Sequence, residues 1–322
     1  MCIRDRRTCI LLLFISLYTS LFAGSFRHLN VREGLSSRQT YQICKDSTGF
    51  IWAYTHMGVD RYDGNEIRHY TLNETIESKD HILSFTVMEV DKKGNLWIAL
   101  RNGRVYCYDK LKDAFYLQAD LSQFISSPVL NGMAFEEDEG LWLSTSTGVY
   151  YWDKKNNVLS PAGLIGEWTN CILKAENDVF FVGTNTEVYR MKRTGTARQL
   201  SKEKVDIPVE ARIETLFLYG SKLYVGTFSN GAFVIELTTK QVKSLDAFIP
   251  GIPVRVFAYD GDRSILIGAD GAGVFRIDVA NEALLNHYIT DEDDERSLNG
   301  NTVSDICVDE YGGIWVLSLI HI

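Results

Sequence analysis

The chain has 322 residues, 45% of them hydrophobic and 23% charged, the balance of a globular protein able to bury a sizeable core and not of a disordered one. Its formal net charge of -9, with no basic run, argues against a phosphate-binding surface, so nucleic acid is not an expected partner. Only 5 prolines stand beside 25 glycines, 16 tyrosines and 16 phenylalanines, which favours many short strands joined by glycine turns.

The two ends read differently from the rest. Met1 to Arg6 and Leu317 to Ile322 match the two translated strands of one transposon adapter, so residues 1–6 and 317–322 are expected to be adapter-derived scar, with native sequence lost after about Val316. Cys2 and His321 then carry no chemistry. Arg7, an apolar run from Cys9 to Phe22, and Ala23-Gly24-Ser25 make a signal peptide over 7–23, with an uncleaved membrane anchor as the alternative. Export follows from either.

From Asp46 to Gly64 the chain reads as a strand, a turn at Gly49, a second strand with Trp52, a bend at Gly58 and a third strand. The unit then repeats. Asp46-x-x-Gly49-x-x-Trp52 returns as Asp91, Gly94 and Trp97, and as Asp309, Gly312 and Trp315. Weaker copies carry Trp142, Phe181, Tyr224 and Leu266 as the anchor, at intervals of 39 to 49 residues. Units of that size with four short strands are propeller blades. The expected fold is all-β, a seven-bladed β-propeller of four-stranded antiparallel blades over 26–316, its last unit truncated and Phe26 to Leu29 supplying an outer strand to that last blade.

A glycine follows the anchor at Gly58, Gly103, Gly148, Gly231 and Gly273, where it permits a positive φ or a close backbone approach between second and third strands. The repeated Asp46, Asp91 and Asp309 read as turn caps and not as metal ligands, and the aromatic anchors as packing between blades. Cys44, Cys107, Cys171 and Cys307 are far apart, with no C-x-x-C and no histidine at ligand spacing, so they read as buried free thiols, export leaving one disulfide open. The acidic run Asp291 to Glu295 lacks the spacing of a calcium loop and reads as a solvated interblade linker. His28, His56, His69, His81 and His287 are scattered, and no nucleophile motif or carboxylate pair is evident. No metal, cofactor or catalytic residue is expected.

Gly34-Leu35-Ser36-Ser37, Tyr41-x-Ile43, Asp46-x-x-Gly49, Ile51-Trp52, Gly58-Val59-Asp60-Arg61-Tyr62-Asp63-Gly64 and Ser297-Leu298-Asn299-Gly300-Asn301 closely resemble the two-component regulator propeller repeat. The resemblance implies the periplasmic sensor region of a Bacteroidetes-type hybrid two-component histidine kinase. In that family two propellers precede a small β-sandwich, a transmembrane helix, kinase and receiver domains and a DNA-binding helix-turn-helix. The implied signal is an oligosaccharide and the implied output is glycan-utilisation genes. Partners implied are that oligosaccharide, the chain's own downstream domains and, as a homodimer, a second copy. This stretch itself would not be an enzyme, although the full-length protein would be a kinase. A secreted propeller lyase or hydrolase and a protein-binding scaffold are the alternatives.

One rim of a propeller is built from loops joining second to third strands and from loops linking blades. On that rim Tyr54, His56, Arg101, Asn102, Trp168, Asn185, Asn230 and Asp270 are the candidates for ligand contact, since sugars call for planar hydrogen-bonding groups and an aromatic face.

Overall fold

The computed structural model describes residues 26–72, 86–126, 128–136, 140–193, 198–261 and 263–319. The scar at 1–6, the signal segment at 7–23 and His81 lie outside them. Among the described residues no helix is long and apolar enough to cross a membrane.

Runs such as Ile51-Trp52-Ala53-Tyr54 and Leu96-Trp97-Ile98-Ala99 are apolar at every position, so they need cover on both faces. They receive it as second strands stacked between neighbouring sheets. Blade 1 is β1–β4 (Thr40–Lys45, Ile51–Thr55, Gly58–Tyr62, Ile67–Tyr70) and blade 2 is β5–β8 (Thr86–Val90, Leu96–Leu100, Arg104–Asp109, Ala114–Asp120). Blade 3 is β9–β12 (Leu130–Glu136, Gly140–Thr145, Gly148–Asp153, Val158–Gly163) and blade 4 is β13–β16 (Thr169–Lys174, Val179–Thr184, Val188–Arg193, Leu200–Val205). Blade 5 is β17–β20 (Ile213–Tyr219, Lys222–Thr227, Ala232–Glu236, Gln241–Ser244) and blade 6 is β21–β24 (Val254–Tyr259, Ser264–Ala269, Gly273–Asp278, Leu284–Tyr288). Each is a four-stranded antiparallel sheet in chain order, and β25 (Thr302–Val308) with β26 (Ile314–Leu319) forms a two-stranded ribbon.

The fold is therefore a propeller of six four-stranded blades, not the seven expected. The seventh anchor, Trp315, lies in the ribbon, where no third or fourth strand pairs with β26 among the described residues. Phe26 to Leu29 forms no strand. Instead Phe26 N donates to Arg296 O at 2.8 Å, His28 Nε2 meets Glu295 O at 2.9 Å, and the Phe26 ring packs edge-on against Tyr288. These contacts hold the segment against the linker that leaves blade 6. Leu317 to Leu319 pair with Asp305, Val303 and Thr302.

The inner strands β1, β5, β9, β13, β17, β21 and β25 stand side by side around the axis and close the circle. Apolar clusters fill the junctions of consecutive blades. Trp52, Met88 and Ile98 share the first, and Trp142, Phe180 and Met191 the third. Leu266, Val303 and Ile306 join blade 6 to the ribbon.

The seam between ribbon and blade 1 is polar by comparison. Ile43 N donates to Asp305 Oδ2 at 2.9 Å, Lys45 pairs with Glu310, and Tyr62 meets Trp315 edge-on at 5.7 Å. A related device joins blades 1 and 2, where Gln42 Oε1 accepts from Met88 N at 2.7 Å and Gln42 Nε2 donates to Met88 O at 3.2 Å. Such bonds satisfy inner-strand amides that sheet pairing leaves open.

Candidate functional site

The repeated carboxylates do two jobs at once. Asp46 Oδ1 accepts from Thr48 N at 2.8 Å and Phe50 N at 3.1 Å, which closes the turn, while Oδ2 accepts from Trp52 Nε1 at 2.8 Å. Asp91 and Asp309 repeat the arrangement on Trp97 and Trp315, at 2.9 and 3.1 Å. Glu136 serves Trp142 at 3.0 Å. The spacing of six residues is set by the indole, whose buried N–H requires an acceptor. Burial alone would raise Asp91, but the Asn95 and Trp97 side chains and the turn amides outweigh it and hold the carboxyl below its ordinary range. These residues are scaffold.

The four strand cysteines are free thiols, and burial raises all four. Asp291 to Glu295 lies in the exposed linker between β24 and β25. Among the described residues no group of three or more His, Cys, Asp or Glu converges to hold a metal ion.

One arrangement superficially resembles a hydrolase. Buried Asp60 accepts on Oδ2 from Ser36 N at 2.8 Å and Ser36 Oγ at 2.9 Å, and its Oδ1 lies 2.7 Å from His69 Nδ1. The carboxylate thus separates serine from imidazole, whereas nucleophilic activation requires the imidazole in the middle. This constellation ties the entry linker to blade 1.

A propeller strand order sends the turns between second and third strands and the interblade linkers to one rim. Several of these turns are locked by the threonine that ends the second strand. Thr145 Oγ1 donates to Gly148 O at 2.8 Å and accepts from Thr147 N at 3.1 Å, with Thr55, Thr184 and Thr227 repeating the pattern. The motif Val-Gly-Thr in blades 4 and 5 carries this signal in sequence.

All eight candidate residues map to this rim or to the strand ends beneath it, but they differ in access. Tyr54 is 2% exposed, against Tyr41 and the first interblade cluster, and is a packing residue. His56 stands exposed at the tip of the blade 1 turn, its backbone N–H given to Gln39 O. Arg101 and Asn102 form the blade 2 turn, where Asn102 Oδ1 accepts from Arg104 N at 3.1 Å. Trp168, 37% exposed, lies in the linker into blade 4. Asn185 accepts from Asn170 Nδ2 at 3.2 Å, and Asn230 accepts from Ser229 Oγ at 2.9 Å. Asp270 holds Arg255 at 2.8 Å.

The sequence reading passed over the residues around Asp270. Arg255 Nη1 pairs with Glu214 Oε2 at 2.7 Å, Glu214 Oε1 pairs with Arg212 Nε at 2.8 Å, and both guanidinium carbons lie 5.5 Å from the centre of the exposed Phe228 ring. Glu214 and Arg255 occupy the irregular second position of their inner strands, where the register shifts. That bulge turns them toward the rim. Exposed apolar side chains are distributed around the turns and linkers of this rim: Met57, Phe124, Ile165, Trp168, Phe228 and Ile289. The turns of the opposite rim expose Leu111 and Tyr311.

Two inner-strand carboxyls stand apart. Burial pushes Glu89 up to about 7, the Asp305 charge adding to the rise, and burial likewise pushes Asp305 up to about 7 against the lowering effect of the Ile43 and Ile306 amides. Water reaches Glu89, yet the surrounding inner strands desolvate it.

The class of molecule defined by this architecture is an all-β propeller of four-stranded antiparallel blades. Residues 297–319 match the two component regulator propeller family. Among solved structures, the chain is similar to the extracellular domain of BT4673 from B. thetaiotaomicron, described as a hybrid two component system, at 20% identity and a TM-score of 0.72, over 91% of this chain and 38% of that one. It is similar to the corresponding domain of BT3049 from the same organism at 17% identity and a TM-score of 0.73, over 92% and 40%. A third likeness is PorZ of Porphyromonas gingivalis, a surface component of the type-IX secretion system, at 12% identity and a TM-score of 0.63, over 89% and 39%. The chain thus spans about two fifths of these neighbours' length. No curated protein sequence matches it.

Proposed function

We propose that the chain is a ligand-sensing propeller of the periplasmic region of a membrane-spanning hybrid histidine kinase, that its ligand is an oligosaccharide, and that it binds without turning the ligand over. The observation that carries this reading is the make-up of the rim built by the second-to-third-strand turns and the interblade linkers. It carries Trp168, Phe228, Asn185, Asn230 and the Arg255–Asp270 pair on turns braced by threonine. Aromatic faces beside planar amides and guanidinium groups suit a sugar, which offers one apolar ring face and an edge of hydroxyls. The propeller match and the extracellular neighbours support the sensor setting.

Thermal unfolding of the chain against a panel of plant and host oligosaccharides tests the reading. A rise in melting temperature with one glycan, and no new reducing ends or unsaturated products after prolonged incubation, is the expected result. Product formation would replace the reading with a polysaccharide-cleaving enzyme. A panel without any shift, together with recovery of a stable protein partner, would replace it with a scaffold.

A further inference from the structure

The hydrogen-bonding capacity around Phe228 is unevenly used. Glu214 Oε2 accepts from Arg255 Nη1, while its Oε1 is buried without a hydrogen-bond partner and has only the Arg212 charge beside it, and Arg255 commits both terminal nitrogens, one to Glu214 and one to Asp270. Arg212 Nε stands 2.8 Å from that Oε1 as an ion pair, without the alignment of a hydrogen bond. Its Nη1 and Nη2 have no partner among the described residues, and its side chain is 46% exposed. The guanidinium is nevertheless fixed in place, by the Glu214 ion pair and by the Phe228 ring.

Backbone geometry locks the same spot. Phe228 N donates to Arg212 O at 2.9 Å, which ties the linker into blade 5 to the turn that carries Phe228 and Asn230. Thr227 Oγ1 braces that turn by accepting from Asn230 N at 2.9 Å and donating to Gly231 O at 2.9 Å. An oriented guanidinium with two free parallel donors is a receptor for a planar oxyanion, and a carboxylate fits it in bidentate fashion. An exposed ring within 5.5 Å of it supplies a surface for the apolar face of a pyranose.

We infer that Arg212 and Phe228, with the Asn230 amide in the same turn, form a subsite for a carboxylate-bearing sugar, the uronic acid residue of an acidic oligosaccharide. The inference rests on the saccharide-sensing reading and narrows it to a charged class. Phe228 stacks the ring, the open fork of Arg212 receives the carboxylate, and the Glu214–Arg255–Asp270 chain holds the fork in position.

Isothermal titration of the whole chain with short oligogalacturonides, oligoglucuronates and oligomannuronates, each as the free acid and as the methyl ester, tests it, with a neutral oligosaccharide panel run alongside. One free acid is expected to bind at least about tenfold more tightly than its ester, and to weaken as sodium chloride rises from about 50 to about 500 mM. Arg212→Gln should erase the preference for the acid. Arg212→Lys, which keeps the charge and the fold but loses the fork, should retain only part of it. Phe228→Ala should weaken acid and ester alike. Equal binding of acid and ester, or an Arg212→Gln chain that still prefers the acid, would overturn the subsite. Binding of neutral glycans alone would overturn it while leaving the saccharide reading in place, and a chain that binds no saccharide would remove both.

Discussion

Asp46 shows how much one side chain carries in this fold. It is 3% exposed and accepts from two turn amides, from Thr48 Oγ1 and from the indole of Trp52, itself fully buried. Asp46→Ala strands all these donors, so the expected cost is about 2–4 kcal/mol, read as a lower midpoint in urea at unchanged slope. Asp46→Asn keeps acceptors and should cost less. The turn role of this aspartate was legible in the sequence from Asp-x-x-Gly, but its pairing with the indole was not. The internal comparison that hints at it was available: position -6 is acidic before Trp52, Trp97, Trp142 and Trp315 and is Ala175 before Phe181 and Leu218 before Tyr224, although Leu266 also has Asp260 there, which serves Ser264 and Arg276 instead. Candidate ligand residues were legible only as positions on turns. Whether a residue there faces water, as His56 does, or the core, as Tyr54 does, depends on neighbouring blades that the local sequence does not describe.

Within a blade, the strands that were easiest to read are those with the most cover. The second strands announce themselves by apolar content. The outer strands of blades 4 and 5 do not. Leu200–Val205 and Gln241–Ser244 read LSKEKV and QVKS and are mostly exposed, because an outermost strand has water at its free edge and needs no apolar alternation. The post-anchor glycines were correctly singled out for positive φ, but the close approach at Gly58 and Gly273 is to the carbonyl that ends the fourth strand, and at Gly148 and Gly231 to a carbonyl of the linker beyond it. Gly273 has φ 75° and a Cβ there would run into Tyr288 O, whereas Gly271, at φ 86° in the same turn, has open space around it. Gly271→Ala should therefore cost only about 1 kcal/mol, from backbone strain. Gly273→Ala adds a steric clash and should cost more than about 2 kcal/mol. Denaturation midpoints of the two variants, which share one hairpin, make the comparison direct.

For the molecule as a whole, the repeat spacing disclosed the propeller, but counting anchors overcounted the blades, since an anchor marks a second strand and not a finished sheet. Trp315 has its aspartate and its inner strand and still belongs to a two-stranded ribbon. The seam that this ribbon makes with blade 1 should respond to pH. Asp305 and Glu89 have folded-state values raised to about 7, well above ordinary carboxyls, so between about pH 4 and 7 the folded chain retains protons the unfolded chain has released. Their contribution to stability is full below about pH 4, falls as pH rises toward 7 and stays lost above it. The melting temperature is expected to fall between pH 5 and pH 8. Asp305→Asn, which still offers Ile43 N an acceptor, should flatten that slope and melt higher than the parent chain at pH 8. An unchanged slope would remove Asp305 from this account.

The burial of the anchors has an optical consequence. Trp52, Trp97, Trp142 and Trp152 are all sealed inside the blades with bonded indoles, and Trp315 is half covered and bonded to Asp309. Trp168 alone of the six stands in solvent, on the rim. Its emission should be the red-shifted, acrylamide-accessible fraction of an otherwise protected spectrum, and Trp168→Phe should delete that fraction alone. The chain thus carries a native fluorophore on the face where a ligand would land, and occupancy there can be followed as shielding from a quencher without attaching any label.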